Sequence, residues 1–484
     1  MRRLLPFLAV AAVAAAPRQV VAQSLTPIRP LPYTRFVLPN GLTAILNEDH
    51  ASPITAIDVY YRIGSRDDKP GRHGVGHFCE HIMGEGSPNI DQPQSDFYIG
   101  LGGTSPHQAE INDDITHYYV IVPSHQLETV LWTEGDRLRN ALSMVDSQTL
   151  ASVTDVVAQE RRSQIEGQPL QFVGGRFAVQ QALFPAGHPY HENLNSPLPD
   201  LPNMTAATLK SACGPYYVPN NAVVAVSGDF DSAIARKWIE KYFGGIARGA
   251  PVNRAPVPAA SLAAEKRLVL EESRLSVPKL RIAWVGASYA NPDRMALLAL
   301  ASSLSLSRVA SNGIEPPASL GRLSKLLVEE RQLATRVVVE NYDLQHAGVF
   351  DIDVDPRPNA SLTTIETLVD SVLNAMATHP VTKEELALFN SYNAVQLATL
   401  LQPRFARADT LAHDEIYAQD PAAYAKQATR ARSLTSADIE RVRKKYLGVG
   451  RVVTSLVPAG KLDLISKPNL PFVNATPAYA AKAR

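Results

Sequence analysis

The chain has 484 residues, 47 basic against 47 acidic side chains, 45% apolar and 19% charged content. That balance excludes disordered and collagen-like classes, and the cancelled charge leaves no basic footprint for nucleic acid. At roughly 150 residues per domain the length calls for two or more domains with sizeable cores, and two cysteines, Cys79 and Cys213, are too few for a disulfide framework.

The chain opens with Arg2 and Arg3 before a continuous apolar run from Leu4 to Ala16. That run is too short to span a bilayer and suits a secretory h-region. Val20 and Ala22 offer small residues where a signal peptidase cuts, so residues 1–22 are read as a signal peptide. A mitochondrial presequence would be amphipathic and Arg-rich, which this segment is not. No later run of 18 or more apolar residues occurs, so the mature chain is expected to be soluble, without stable membrane insertion. In a diderm bacterium its compartment would be the periplasm.

Ile54 to Ile63 alternates apolar residues and reads as a strand. Residues 74–84 then run Gly-Val-Gly-His-Phe-Cys-Glu-His-Ile-Met-Gly, in which His77, Glu80 and His81 form H-x-x-E-H. On a helix His77 and His81 lie one turn apart, about 40° round the axis, so both imidazoles can reach one metal. Glu80 is about 60° to the other side of His77. A carboxylate there can take a proton from an attacking water without being a ligand. Nitrogen ligands plus a carboxylate suit zinc, one ion per chain. Cys79 falls on the opposite helix face and is expected to pack in the core as a reduced thiol, as is Cys213.

A strand over Tyr118–Val122 and a helix over Gln126–Asn140 follow. Residues 151–169 read as another helix, in which Glu160 and Glu166 are both candidates for a third ligand; the pattern does not choose between them. Thr205 caps a short helix leading to Tyr216, and an apolar strand runs from Ala222 to Val226. The same order recurs 230 residues later: Thr435 opens a helix leading to Tyr446, and Val452 to Val457 is apolar. Leu280 to Val285 alternates as Ile54 to Ile63 does. A tandem duplication explains the constant spacing, and strands alternating with helices make each copy α+β. Gly244 to Ala260, rich in Gly, Pro and Ala, reads as a linker. The expected division is 24–245, linker 246–262, 263–470 and a tail 471–484. The second copy has no metal pair: Met295 to Leu304, opposite the H-x-x-E-H helix, is an apolar core helix.

H-x-x-E-H marks the inverzincins, and the chain resembles the insulinase/pitrilysin family of zinc metallopeptidases, especially its short bacterial, processing-peptidase-like branch. The resemblance rests on Asn40-Gly41-Leu42, Gly64-Ser65-Arg66, Gly74 to His81, Asp114 to Tyr119 and Glu134-Gly135-Asp136-Arg137. It continues through Val156 to Arg162, Pro219 to Ala222 and Gly228-Asp229. It implies two homologous α+β domains with largely antiparallel sheets, and two or four such domains enclosing a chamber for unfolded peptides. It implies that Glu160 is the third zinc ligand and that Gln108-Ala109 lie on the strand that pairs with substrate, where many relatives have Asn-Ala. Three departures stand out. Val153 replaces a glutamate that supports the site in the family. Gln108 replaces the asparagine. Val328 and Thr335 replace an arginine and a tyrosine that hold the tetrahedral intermediate, and neither can donate to an oxyanion as those would. Arg331 and Arg336 are out of register and are read as solvated helix charges. The resemblance therefore implies a heterodimer with a sister subunit supplying the Arg/Tyr pair; a homodimer with substitute donors is the other arrangement. The expected function is a zinc endopeptidase subunit. Its rivals are a structural or assembly subunit that keeps the fold without activity, and a zinc-storage module that would not need Glu80.

Overall fold

The computed structural model describes residues 28–104, 109–167, 175–191, 203–306 and 320–476. The expected signal peptide, Gln108 and residues 477–484 of the expected tail lie outside the described residues. In the first half the strands are β1 (Thr34–Val37), β2 (Thr43–Glu48), β3 (Ile54–Tyr61), β4 (Ala109–Ile111), β5 (Thr116–Pro123) and β6 (Ala222–Gly228). Its helices are α1 (Val75–Gly84), α2 (Gln94–Gly100), α3 (Leu127–Asn140), α4 (Ser147–Gly167), α5 (Gly175–Leu183), α6 (Ala206–Cys213) and α7 (Ser232–Phe243). The second half has β7 (Lys266–Glu272), β8 (Lys279–Gly286), β9 (Ala334–Asp343), β10 (Gly348–Pro356), β11 (Val452–Pro458) and β12 (Val473–Asn474). Its helices are α8 (Arg294–Leu304), α9 (Arg322–Ser324), α10 (Leu362–Ala375), α11 (Lys383–Leu400), α12 (Arg404–Ala418), α13 (Ala423–Arg432) and α14 (Ser436–Tyr446).

The strands form two six-stranded, mostly antiparallel sheets in an α+β architecture, ordered β1-β2-β6-β3-β5-β4 and β12-β7-β11-β8-β10-β9. The two orders match at five of the six positions; at the outer edge β1, the first strand of its half, pairs antiparallel with β2, whereas β12, the last of its half, pairs parallel with β7. In each sheet the half's final long strand pairs in parallel with its first long strand, β6 with β2 and β11 with β7. That final strand pairs antiparallel with β3 or β8 on its other side. The Thr caps form too: Thr205 accepts from Thr208 N at 3.1 Å and Thr435 from Asp438 N at 3.3 Å.

One face of the first sheet carries Ile57, Val59, Tyr61, Tyr118 and Val120 into a core with the first half's own helices. The other face is covered by α12, which comes from the second half: Ala408, Leu411, Ala412 and Ile416 pack on Ile45, Tyr60, Val223 and Ala225. Reciprocally, α5 of the first half covers the second sheet, with Val179, Leu183 and Phe184 against Leu268, Ala283 and Val452. The crossing helices keep the repeat offset, since Ala178 and Ala182 correspond to Ala408 and Ala412. This exchange explains why β6 is buried at every position: a strand covered on both faces reads as a continuous apolar run. Among the described residues no helix is long and apolar enough to cross a membrane.

Cys79 and Cys213 form a disulfide, which corrects the expectation of two reduced thiols. Both side chains are buried, as expected, but the fold carries the end of α6 onto the face of α1 that points away from His77. The bond closes a 134-residue separation. On the chain-entropy account a loop of that length stabilises the fold by about 5 kcal/mol. Cys213→Ala is therefore expected to lower the calorimetric melting temperature by several degrees; an unchanged melting temperature would show that the bond contributes nothing.

Candidate metal centre

The helix carrying H-x-x-E-H begins after Gly74, whose φ of 86° is a left-handed conformation suited to glycine. The first amides of a helix have no partner within it. Asp68 supplies one: Gly74 N donates to its carboxylate at 2.6 Å and Gly76 N at 3.0 Å. Burial pushes the Asp68 carboxyl up to about 7 against the pull of these two amides.

Within α1 the imidazoles of His77 and His81 meet edge to face at 4.8 Å between centroids, with their Nε2 atoms 3.2 Å apart. α4 packs against α1 and brings Glu160 Oε2 to 3.3 Å from each Nε2. The three donor atoms thus form a nearly equilateral triangle. A tetrahedral centre with bonds of about 2.0–2.1 Å has ligand–ligand edges of about 3.3–3.4 Å, so the triangle fits a small divalent ion with one further position open. The donor set, two imidazoles and a carboxylate, is of the kind zinc takes.

Glu80 sits beside this triangle with Oε2 3.7 Å from His77 Nε2. Burial pushes its carboxyl up to about 7, with His81 pulling it down and the Glu160 charge pushing it further up. A group poised there can both accept and return a proton near neutrality. The bonds from His77 and His81 hold the Glu160 carboxyl well below the usual range, which favours its charged form. Burial lowers His81, but its bond to Glu160 and the Glu80 charge outweigh that and leave it raised.

The Glu134–Arg137 segment lies behind the site and supports it. Arg137 pairs with Glu134 at 3.0 Å in a fully buried ion pair, and Tyr98 donates to Glu134 at 2.5 Å. The Arg137 guanidinium lies 4.2 Å from the centre of the Tyr118 ring. The Tyr118 hydroxyl in turn donates to the Glu80 carbonyl at 3.0 Å. Asp136 accepts from Asn89 Nδ2 at 2.6 Å and so anchors the loop after α1. Asp68 and Tyr118 were not singled out from the sequence. Their signals were an aspartate just ahead of a helix start and a tyrosine within a buried strand, whose hydroxyl needs a partner.

The other expected site residues fall as follows. On an ideal helix position 166 is about 120° round from position 160, and the Glu166 side chain lies outside the described residues. Val153, two turns before Glu160 on α4, is packed in the first core. Ala109 opens β4, which ends the first sheet and among the described residues pairs only with β5. In the second half α8 is buried almost throughout. Val328 lies half-buried in a π-helical turn over Lys325–Glu330, and the exposed Thr335 on β9 donates its hydroxyl to the Asp355 carbonyl at 3.1 Å. Arg331 is exposed at the end of that turn, whereas Arg336 lies on strand β9, not on a helix as expected.

A second cluster of donor groups, Asp58, His117 and Asp409, lies where α12 meets the first sheet. His117 Nδ1 is 3.0 Å from Asp58 and 4.0 Å from Asp409. Burial lowers His117, but the Asp58 charge and bond raise it to about 10. The cluster spans the junction of the two halves, since Asp58 and His117 lie on β3 and β5 and Asp409 on α12.

Two family profiles match the chain. The insulinase family, peptidase family M16, matches residues 43–173, and the peptidase M16 inactive domain matches residues 203–388. Together they cover more than half of the chain. The zinc protease PqqE of Helicobacter pylori is 25% identical over 72% of this chain and 76% of that protein. The probable mitochondrial-processing peptidase subunit beta of Arabidopsis thaliana is 23% identical over 60% of this chain and 54% of that protein. The crystal structure of a protease from Helicobacter pylori covers 89% of this chain and 100% of its own, with a TM-score of 0.78 at 21% identity, which shows a shared fold.

Proposed function

The chain belongs to the insulinase family, peptidase family M16, and from that we propose that it is the catalytic chain of a zinc-dependent endopeptidase acting on unfolded peptides. The observation that carries this reading is the triangle of His77, His81 and Glu160, with edges of 3.2–3.3 Å and the Glu80 carboxyl beside it. A zinc ion, when bound, supplies Lewis acidity at the open position. The chain's own residues do the rest. The β4 edge beginning at Ala109, with Gln108 just before it, offers main-chain groups to an extended peptide added as a further strand. Glu80 takes a proton from the attacking water and later returns it to the departing amine nitrogen. Its burial keeps competing solvent away and holds its affinity for a proton near that required at neutral pH.

The second half supplies no electrophilic clamp in the expected register. Val328 has no donor, and the Thr335 hydroxyl is committed to Asp355. A sister subunit contributing an arginine and a tyrosine would complete the site. The relatives named as processing-peptidase subunits are compatible with that arrangement. Export by the apolar leader is part of the same reading, because a buried disulfide belongs to an oxidising compartment, the periplasm in a diderm bacterium.

One observation favours a second reading, a non-catalytic subunit: residues 203–388 match a profile described as inactive. That profile runs from the end of the first half into the second and includes none of His77, Glu80, His81 and Glu160, so it does not displace the catalytic reading.

The test is hydrolysis of a mixture of unstructured peptides by the purified chain from residue 24 onward, with metal content measured alongside. Bound zinc without cleavage is expected and sends the search to a sister chain. Cleavage by the chain alone would keep the catalytic assignment and overturn the obligate partner. A chain that takes up no zinc would overturn both.

A further inference from the structure

The face of α1 turned away from the metal is tied down twice by one short stretch of chain. Cys79, between the two histidines in sequence, is bonded to Cys213 at the end of α6. Four residues on, the Tyr217 hydroxyl lies 3.1 Å from that of Tyr118, which donates to the Glu80 carbonyl at 3.0 Å. Residue 213 thus reaches α1 directly at position 79, and residue 217 reaches position 80 through Tyr118. The ring of Tyr61 packs between the two tyrosines, 4.7 Å from Tyr217 and 5.9 Å from Tyr118 between centroids. All of these side chains are buried.

A ten-residue helix is marginal on its own, so its place relative to α4 is set by what holds it. That place decides whether Glu160 lies 3.3 Å from both imidazoles or too far to share an ion with them. Asp68 holds the N-terminus of α1, a turn or more before the general base, and α4 packs along the helix, whereas the ties at positions 79 and 80 act beside Glu80 itself.

We propose that the Cys79–Cys213 disulfide and the Tyr118–Tyr217 hydroxyl pair are positioning residues of the metal centre, so that full metal affinity requires the oxidised cysteine pair. This rests on the reading that His77, His81 and Glu160 hold the metal. The bond forms when the two thiols react with a disulfide oxidant: two electrons and two protons pass to the oxidant, which leaves as two thiols. The chain in a reducing compartment therefore carries a loose site, and oxidation after export completes it.

The test is zinc affinity at 25 °C, by competition with a chromophoric chelator, for the oxidised wild type, Cys79→Ala, Cys213→Ala, the double variant and Tyr217→Phe. Each cysteine variant, and the double variant equally, is expected to bind zinc about 10–100-fold more weakly, with a smaller loss for Tyr217→Phe. Hydrogen exchange of the metal-free chain should quicken in α1 and stay unchanged in β11. A lowered melting temperature with zinc affinity within about twofold of wild type would show a merely structural disulfide and overturn the proposal. Should the cysteine variants not fold, Tyr217→Phe, which keeps the disulfide and the ring, decides on the same two readouts. Glu160→Ala is the control for the premise: if it too binds zinc like wild type, the ligand assignment fails and not the clamp alone.

Discussion

Replacing Glu80 by glutamine is expected to lower kcat/KM for a peptide substrate by about 10²–10⁴-fold while leaving metal content and melting temperature as in wild type. The substitution keeps the shape and size of the side chain and removes only its ability to take up and return a proton. Glu80 is not one of the three atoms forming the donor triangle, so the ion should stay. The α1 backbone should also stay, because the bond from Tyr118 goes to the Glu80 carbonyl, which the substitution preserves. The measurement belongs in whichever assembly proves active, the chain alone or the chain with its partner. A variant that cleaves at the wild-type rate would remove Glu80 from the mechanism. A variant that loses the metal would make Glu80 a ligand and reassign the role of Glu160.

Glu160→Ala is expected to weaken zinc binding by more than the roughly 10–100-fold that groups outside the ligand set typically cost, whereas Glu166→Ala should leave it unchanged. The asymmetry follows from geometry. Glu160 Oε2 lies 3.3 Å from both imidazoles, and both bonds favour its charged form. Its side chain is 43% exposed, so solvent screens part of that interaction in the metal-free chain, and the large effect should be read in metal affinity more than in folding stability. Equal zinc affinity in the two variants would sink the ligand choice.

How far the site was legible differs residue by residue. His77, Glu80 and His81 are grouped by the helix itself: a fixed rotation of about 100° per residue puts positions 77, 80 and 81 on one arc whatever surrounds them. Glu160 was one of two carboxylates on a solvated-looking helix, and only resemblance separated it from Glu166. The structure brings it to the histidines through the packing of α4 on α1. Arg336 was read as a helix charge and lies on β9, because a π-helical turn ends at Glu330 and the chain straightens into a strand at Ala334.

The elements and their internal geometry are legible from local pattern: the alternating faces of β3 and β8, the Thr205 and Thr435 caps, and the arc of α1 that His77, Glu80 and His81 share. These depend on rotation per residue and on side chains within a few positions of one another, and both are local. Which elements meet is set by packing over the whole chain. That packing sent α5 and α12 across to each other's sheet, joined Cys79 to Cys213 over 134 residues, and set Tyr118 and Tyr217 beneath Glu80. Such contacts are set by apolar faces covering one another across long loops, whose closure entropy grows only slowly with length. Nothing in the spacing of two buried cysteines distinguishes a partner far along the chain from no partner at all.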